Sequence, residues 1–299
     1  MPEPTQPIQY IQRTAEYYSG LGYDKPYQWA SYSDIPFTPL PKALKNCRLG
    51  IVTTAALYQP ELGNQDPWAP YNSAAKFYRV YSYPTDEPPD LRISHIAIDR
   101  DHTSAEDLGS YFPLKALRTT LQHNRIGEIA SEFFGLPTNR SIRTTLEVDC
   151  PDLVSRCLKA DIDAVILVPN CPVCHQSVSL AARSLEVAGV STVITGCALD
   201  IVENVGVPRF LFSDFPLGNS AGKPNDTDSQ YKVLSMALSL LEEAKSPGTT
   251  GCSGIEWNDD DDWKKDYSNI HNLTDLQIET RKKEFEQGKQ IAQSLIDQK

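Results

Sequence analysis

The fold is decided by the stretch from Pro151 to Gly196, which reads PDLVSRCLKADIDAVILVPNCPVCHQSVSLAARSLEVAGVSTVITG. Its first ten residues form a helical pattern that begins with proline, and Ala164–Val168 is an apolar run of strand length. Apolar residues then recur at helical spacing from Val178 to Ala188, and Thr192–Thr195 is the next strand-like run. Because helix and strand alternate at the short spacing of βαβ units, the stretch predicts a parallel sheet with right-handed crossovers.

Strand and helix patterns continue on both sides of this stretch. Leu49–Ala56 and Arg209–Phe212 are strand-like apolar runs, and Leu91–Ile98 alternates apolar and polar residues as a strand does. Phe112–Gln122 and Ser229–Ala244 have the spacing of helices. The sequence therefore predicts an α/β fold made of parallel βαβ units.

Three regions differ in composition. Residues 1–46 are rich in proline, tyrosine and glutamine and predict an irregular N-terminal arm. Residues 47–246 carry the α/β pattern and form the catalytic region, which the pattern leaves open to division into two similar halves, 47–150 and 151–246. Residues 247–299 predict an acidic linker followed by a charged C-terminal helix.

Four local features are predicted in the less regular parts of the chain. A short helix is expected around Ile8–Tyr18, and the charged C-terminal helix spans Asp275–Gln298. Gln59–Asn72, where Pro, Gly, Asn and Asp crowd, and Asn139–Thr145, which carries two arginines, are expected to be loops. A loop as long as the first is often functional.

Composition limits the classes of partner. The 299 residues contain no apolar stretch of the roughly 20 residues that a membrane helix needs, and the start lacks the basic and apolar regions of a signal peptide. A cytoplasmic location is therefore expected. A net charge of -11 argues against nucleic acids and anionic membranes, which reward clustered lysine and arginine. Small molecules and other proteins remain as partners.

The segment Cys171-Pro-Val-Cys174-His175 carries the chemistry. It follows the strand Ala164–Val168 at the carboxyl edge of the predicted sheet, where parallel sheets bind ligands. With Asn170 as the helix cap, both sulfurs would lie near a helix N-terminus, whose dipole stabilises a thiolate. Cys174 could then resolve a mixed disulfide, and His175 could donate a proton or lower a thiol pKa.

The CXXCH segment has three other possible interpretations. Attachment of a c-type haem is disfavoured by the missing export signal and by the position inside a βαβ unit. A zinc site needs two more ligands, for which Cys197 after the neighbouring strand is one candidate, and no metal is assigned. The two cysteines could also be buried core residues, as free cysteines often are.

Several residues after other strands are candidates for substrate binding. They are Thr53, Thr54, His95, Gly218, Asn219 and Gly222. The two threonines could bind a substrate carboxylate, and His95, like the nearby cluster of Asp99, Asp101 and His102, could act as a general acid or metal ligand. The glycine-rich segment could present backbone N–H groups to an anion.

The motifs of the chain resemble those of a known family. Beside the CXXCH segment they are Gly50-Ile-Val-Thr-Thr-Ala-Ala56, Ser94-His95, Phe112-Pro113, Phe133-Phe-Gly135, Pro208-Arg209 and Phe215-Pro-Leu-Gly-Asn-Ser-Ala-Gly-Lys-Pro-Asn225. Together these stretches, spread over residues 47–245, resemble the selenoprotein subunit of D-proline reductase and component B of the glycine, sarcosine and betaine reductases.

The resemblance implies a reductase that cleaves a carbon–nitrogen bond in a small amino-acid-like substrate. Cys171 stands at the position of the family's selenocysteine, Cys174 matches the partner cysteine, and His175 matches the residue after it. The resemblance therefore implies that Cys171 is the nucleophile and that Cys174 resolves the resulting bond, leaving a disulfide for an external dithiol reductant.

The chain departs from the family pattern, because sulfur replaces selenium at position 171 and no equivalent of the pyruvoyl-bearing polypeptide of D-proline reductase is evident. A partner subunit or a homo-oligomer is therefore expected. Two other hypotheses stay open. One is a redox-independent racemase, lyase or hydrolase that uses Cys171 as a nucleophile or as an acid and base, for which Cys197 could be the second group. The other is a non-catalytic subunit of a reductase complex.

Overall fold

A computed structural model describes residues 6–23, 25–62, 76–93, 95 and 97–297. The strands are β1 (Arg48–Thr53), β2 (Ala56–Leu57), β3 (Tyr81–Pro84), β4 (Leu91–Arg92), β5 (Glu128–Ile129), β6 (Glu132–Gly135), β7 (Ala164–Val168), β8 (Ser191–Gly196), β9 (Arg209–Phe212) and β10 (Thr249–Cys252). The α-helices are α1 (Tyr10–Gly20), α2 (Leu114–Gln122), α3 (Ile142–Thr144), α4 (Cys150–Lys159), α5 (Pro172–Val187), α6 (Leu199–Val205), α7 (Thr227–Glu243), α8 (Trp263–Asp266) and α9 (Asp275–Asp297).

Eight strands form a central sheet in the order β10-β9-β8-β7-β1-β6-β3, with β5 also paired to β1. Every pair in this sheet is parallel except β3 with β6, and β2 and β4 form a separate antiparallel pair. The prediction of an α/β fold with a mostly parallel sheet is confirmed. Since strands from residues 47–150 and from residues 151–246 join one sheet, the division into two halves stays a prediction.

The chain passes from one side of β1 to the other at one point of the sheet. After β1 it forms the edge strand β3 and then β6 beside β1, and it next enters β7 on the other side of β1 before continuing outward through β8, β9 and β10. Val52 pairs with Leu167 and Thr53 with Val168 in the register of the two central strands. In open α/β sheets such a switch point leaves a crevice outside the carboxyl ends of the two strands, and ligands bind there.

Alternate residues of the central strands enter two separate apolar clusters, one on each face of the sheet. Ile51 and Ile166 belong to the cluster that includes Leu117 of α2 and Leu234 of α7. Val52 and Leu167 belong to the cluster that includes Leu153 of α4 and Val178 of α5. Helices therefore cover both faces, which explains why the parallel strands read as continuous apolar runs.

The N-terminal arm lies against α5. Gln176 accepts a hydrogen bond from the Ala30 N–H at 2.7 Å and donates one to the Tyr27 hydroxyl at 2.7 Å. Further along the arm, the Thr38 N–H donates to the buried Glu186 carboxylate, which also pairs with Arg209 at 2.9 Å. These buried polar contacts fix the arm to the catalytic region.

Three expectations about local structure need correction, and a fourth falls largely outside the described residues. Residues 249–252 of the expected linker form β10, because they pair with β9 at the sheet edge. Part of the loop expected at 139–145 is helical, since the Ser141 hydroxyl caps α3 by accepting from the Thr144 N–H at 3.2 Å. Of the strand expected at 91–98, only the two residues of β4 are extended, and residues 94 and 96 lie outside the described part. Residues 63–72 of the expected functional loop also lie outside the described residues.

The C-terminal helix α9 packs on the arm through Phe285, whose ring centroid lies 5.4 Å from that of Tyr18 and 5.0 Å from that of Tyr23. None of the described helices combines the length and the apolar character needed to span a membrane.

Candidate active site at the ends of strands β1 and β7

The cysteine pair lies at the switch point of the sheet. Cys171 follows β7 after only two residues, and it is the N-cap of α5: its sulfur accepts a hydrogen bond from the Cys174 N–H at 3.2 Å. The cap was expected at Asn170, one residue earlier. Cys171 takes the cap because its own backbone is extended and proline follows it as the first helical residue. The sulfurs of Cys171 and Cys174 are bonded to each other, and their Cα atoms are 4.9 Å apart.

The two cysteines differ in exposure. Cys171 is 4% exposed and Cys174 is 0% exposed, so a substrate reaches the first sulfur more readily than the second. The Thr138 hydroxyl, on the segment after β6, lies 3.3 Å from the Cys174 sulfur. Hydrogen bonds to a sulfur favour its thiolate when the pair is reduced. The geometry fits a nucleophile at 171 and a resolving thiol at 174.

His175 holds backbone groups on two elements together. Its Nδ1 lies 2.8 Å from the Cys171 carbonyl oxygen, and its Nε2 accepts from the Cys197 N–H at 3.0 Å. This pattern makes Nδ1 the protonated nitrogen and leaves the ring neutral. Burial lowers the pKa of His175 to about 4. The geometry therefore favours a positioning role over the proton donation that the sequence suggested.

The close approach of His175 to β8 depends on a glycine. A Cβ atom at Gly196 would lie 2.8 Å from His175 Nε2, which is closer than such atoms come in proteins. Gly196 therefore lets the imidazole reach the end of the neighbouring strand.

Thr53 and Thr54 are fully buried at the end of β1. The Thr54 hydroxyl oxygen accepts from both the backbone N–H and the side-chain amide of Asn170, each at 3.1 Å. The Thr53 hydroxyl oxygen accepts from the Ala55 N–H at 3.1 Å. Both hydroxyls are thus used within the protein. Thr54 ties the end of β1 to the residue that precedes Cys171, which is a positioning contact and differs from the predicted binding of a carboxylate.

His95 is the predicted residue that the fold brings to the cysteines. A ring nitrogen of His95 and the sulfurs of Cys171 and Cys174 all lie within 4.8 Å of one another. Burial, with the positive charge of Lys76 as a second cause, lowers the pKa of His95 well below its ordinary 6.5. The ring is neutral at neutral pH, so it can accept a proton or bind a metal more readily than it can act as a general acid.

Lys76 adds a cationic group beside His95. Burial, with the nearby Arg140 guanidinium as a second cause, lowers the pKa of Lys76 to about 7. This side chain was absent from the sequence-based candidates, because an isolated lysine after a polar loop carries no signal. The candidate site thus combines two thiols, a neutral imidazole and an amine.

The glycine-rich segment uses three of its N–H groups for hydrogen bonds inside the protein, and its role as an anion nest stays a prediction. The N–H groups of Asn219, Ala221 and Gly222 donate to the carbonyls of Pro216, Ser110 and Asn219. A Cβ atom at Gly218 would lie 2.7 Å from Thr103, and one at Gly222 would lie 2.6 Å from Gln230. The glycines serve close packing around the start of α7. The Asn219 side-chain amide is also buried and donates to Thr103 at 2.7 Å.

The acidic cluster near His102 forms a different region. The His102 Nδ1 lies 3.0 Å from the Asp99 carboxylate, and burial raises the pKa of Asp99 despite this contact. Asp99 and Asp101 line a cavity of about 390 Å³ between α1 and α9, together with Tyr17 and Arg281. The cysteine pair does not line this cavity.

Cys197 does not join the cysteine pair. Within the described part of the chain, the group of three that could hold a metal consists of Cys171, Cys174 and His95. The Cys197 sulfur lies 3.7 Å from the Ser220 hydroxyl, and burial raises the pKa of this thiol to about 12. Its use as a zinc ligand or as an acid–base partner, which position along the sheet suggested, is therefore unsupported.

Comparison with known proteins agrees with the sequence motifs. The chain is 27% identical over 215 residues to the D-proline reductase subunit gamma of Acetoanaerobium sticklandii, and the match covers 71% of this chain and 85% of that protein. The resemblance to this reductase subunit is confirmed. No protein-family model and no solved structure matches the chain.

Three residues at the site, Thr138, Lys76 and Gly196, are recognised from the structure and belong to none of the sequence motifs. Thr138 and Lys76 approach the site from segments that carry no motif, and their contribution appears only once the sheet is folded. Gly196 carried a weak signal, because a glycine at the end of a strand often marks the close approach of another group.

Proposed function

We propose that this chain is the thiol-bearing component of a reductase that cleaves a carbon–nitrogen bond in a small amino-acid-like substrate. The observation that carries the proposal is the Cys171–Cys174 pair at the N-terminus of α5, at the switch point of the sheet. Similarity to a protein named as a D-proline reductase subunit supports a role in a reductase.

The reaction needs two steps. The Cys171 thiolate attacks the substrate carbon, so that a sulfur–carbon bond forms and the nitrogen leaves with the electron pair of the broken bond and takes up a proton. The Cys174 thiolate then attacks the Cys171 sulfur, the sulfur–carbon bond breaks, and the carbon leaves with its electron pair and takes up a second proton. In sum, one carbon–nitrogen bond and two thiols become a C–H bond, an N–H bond and a disulfide. An external dithiol then reduces the disulfide.

The surroundings of the pair suit an anionic substrate. In its protonated form, Lys76 supplies a positive charge beside His95, and a substrate carboxylate would be attracted to it. The neutral His95 ring can hydrogen-bond to the substrate or to a thiol. Neither contact would require the buried threonines or the glycine-rich segment, whose polar groups are used inside the protein.

A partner subunit belongs to the proposal. The relative is named as one subunit of a reductase. The described side chains grouped at the site, Cys171, Cys174 and His95, are nucleophiles or bases and supply no electrophilic group that would hold a substrate amine. In the resembling D-proline reductase a pyruvoyl-bearing polypeptide holds the substrate amine. We propose an equivalent partner here, with a dithiol protein or small dithiol as the source of electrons.

The experiment is a turnover assay on the reduced chain with D-proline, L-proline and other small α-amino acids, with and without a pyruvoyl-bearing partner. Cys171→Ser is expected to abolish substrate reduction. Cys174→Ser is expected to trap the substrate on Cys171 as a thioether, which intact-protein mass spectrometry followed by peptide mapping detects. Cys252→Ser, at an exposed free cysteine, is the control and retains activity.

Other outcomes assign the other hypotheses. Turnover without consumption of dithiol would overturn the reductase and indicate a racemase, lyase or hydrolase. A reductase activity of the complex that survives Cys171→Ser would show that the chain is a non-catalytic subunit. Absence of the trapped adduct in Cys174→Ser, in a complex that turns over with the native chain, would contradict the two-step mechanism.

A further inference from the structure

The three side chains at the switch point have the composition of a soft metal site. One ring nitrogen of His95 and the sulfurs of Cys171 and Cys174 lie within 4.8 Å of one another. Around a tetrahedral zinc ion, with Zn–S near 2.3 Å and Zn–N near 2.0 Å, such donor atoms stand about 3.5–3.8 Å apart. To surround one ion, the His95 nitrogen needs to approach the sulfurs by about 1 Å at most, and the two sulfurs, which are bonded to each other here, need to separate on reduction.

His95 carries an unsatisfied polar atom. Its Nδ1 is buried and has no hydrogen-bond partner within the described residues. A buried polar atom without a partner destabilises the fold, and structures keep such an atom mainly where a ligand, an ion or water completes it. A metal ion held with the two sulfurs would use the imidazole as a ligand.

The sulfur side of the cluster is prepared for thiolate ligands. The Cys171 sulfur accepts from the Cys174 N–H at 3.2 Å, and the Thr138 hydroxyl lies 3.3 Å from the Cys174 sulfur. N–H and O–H donors directed at sulfur stabilise its negative charge, which a zinc-bound cysteine retains. A set of two thiolates and one imidazole binds zinc more tightly than it binds hard cations such as Mg²⁺ or Ca²⁺.

We propose that the reduced cysteine pair binds a zinc ion, with His95 as the third protein ligand and a fourth position open to solvent or substrate. On binding, the two thiols release two protons and no electron is transferred. Because the same sulfurs form the disulfide, zinc binding and oxidation exclude each other. Zinc would thus keep the two cysteines reduced and block their attack on substrate. This regulatory consequence rests on the proposed function, whereas the binding of zinc does not.

The test uses cobalt as a spectroscopic probe for the zinc site. The full chain, reduced and kept free of oxygen, is titrated with Co²⁺, and sulfur-to-cobalt charge-transfer absorption and visible d–d bands are recorded. One Co²⁺ per chain, displaced by Zn²⁺, is expected. Cys171→Ser, Cys174→Ser and the oxidised chain are expected to lose the charge-transfer bands of this site.

His95→Ala decides the third ligand. We expect it to weaken Zn²⁺ binding at least tenfold, by analogy with the ten- to hundredfold loss on removal of groups that only orient a ligand. His271→Ala, at an exposed histidine on another segment, and Cys197→Ser are the controls and should leave the affinity unchanged. Circular dichroism of each variant verifies that it is folded.

Two results would overturn the zinc site: a reduced native chain without charge-transfer bands, or a folded His95→Ala variant with the native affinity. Protection from alkylation gives an independent measure, since bound Zn²⁺ should slow the reaction of both cysteines with iodoacetamide. None of these measurements requires turnover, so failure of the reductase proposal would leave the metal result interpretable, and the reverse also holds.

Discussion

Replacement of His175 by glutamine separates a positioning role from proton donation. The imidazole is fully buried and joins the Cys171 carbonyl to the N–H of Cys197. Glutamine removes the ring and leaves at least one of these buried groups without its partner. We expect His175→Gln to lower the free energy of unfolding by about 1–3 kcal/mol at about pH 7.5, the usual effect of one unsatisfied buried group.

The pH dependence of this difference has a definite sign. The pKa of His175 is lowered from 6.5 to about 4, so the folded state favours the neutral ring. Stability from this preference is present above about pH 6.5 and is lost as the pH falls towards about 4. The gap between the two values corresponds to roughly 3 kcal/mol. Glutamine does not titrate, so the native chain should lose this amount relative to the variant.

Chemical denaturation of the native chain and of His175→Gln at several values between about pH 7.5 and pH 4 measures the effect. His271→Gln, at an exposed position, is the control. Nitrogen-15 NMR of the imidazole provides a direct readout and should show a neutral ring protonated at Nδ1. A difference in stability that stays constant with pH, or a His175 titration centred near 6.5, would refute the positioning role.

Three further predictions concern stability and are measured by denaturation. Burial raises the pKa of Asp149 from 3.8 to about 6, so the fold loses stability as the pH rises from about 3.8 to about 6. Asp149→Asn should therefore stabilise by about 1–3 kcal/mol near pH 7.5 and have no effect near pH 4, and an equal effect at both would contradict this. Gly196→Ala should cost about 1–3 kcal/mol, because the new methyl group overlaps a buried ring. Gly251→Ala should cost less, because its methyl group meets only the flexible ends of Leu240 and Leu211, at 3.1 Å or more; equal costs would count against the close approach. Glu186→Gln should lower the free energy of unfolding by about 3–5 kcal/mol, because the buried Arg209 loses its charged partner. Adding Arg209→Met should recover part of that loss, and a double variant whose loss equals the sum of the two single losses would contradict the pairing.

The sequence predicted best the strands that are buried on both faces. The bounds of β7 and β9 agree with the predicted runs, because a central parallel strand must be apolar at nearly every position. The cysteine pair was placed correctly at the carboxyl edge, since it follows β7 directly. Local patterns therefore located both the sheet centre and its reactive edge.

Short and non-local pairings escaped prediction. β6 and β3 have four residues each and pair only with distant segments, and β10 was read as part of a linker. The sequence gives such strands too few residues for a period-2 pattern to appear. The seven residues of the helix α6 are likewise too few to show a clear helical period of 3.6 residues.

The candidate site shows the same division. The sequence makes His95 a candidate on its own, but its proximity to two cysteines far along the chain is a result of tertiary structure. Conversely, the sequence suggests an anion site at Gly218 and Gly222. In the fold, Thr103 and Gln230 pack so close to these two residues that a side chain would not fit. A pattern identifies residue types that can do chemistry, and only the fold determines which of them meet.

The candidate site combines residues held by the central sheet with residues from segments outside helices and strands. Thr54 and His175 bind backbone groups around Cys171 from β1 and α5, so the position of the sulfur follows from the core of the sheet. His95 and Lys76 come from segments without helix or strand, although Ile93 and Ile98 on either side of His95 lie in the apolar cluster that includes Ile51 and Ile166. Substitutions of His95 and Lys76 themselves could therefore alter the substrate or the bound ion and leave the cysteine pair in place, whereas changes at the neighbouring apolar residues would also disturb the core.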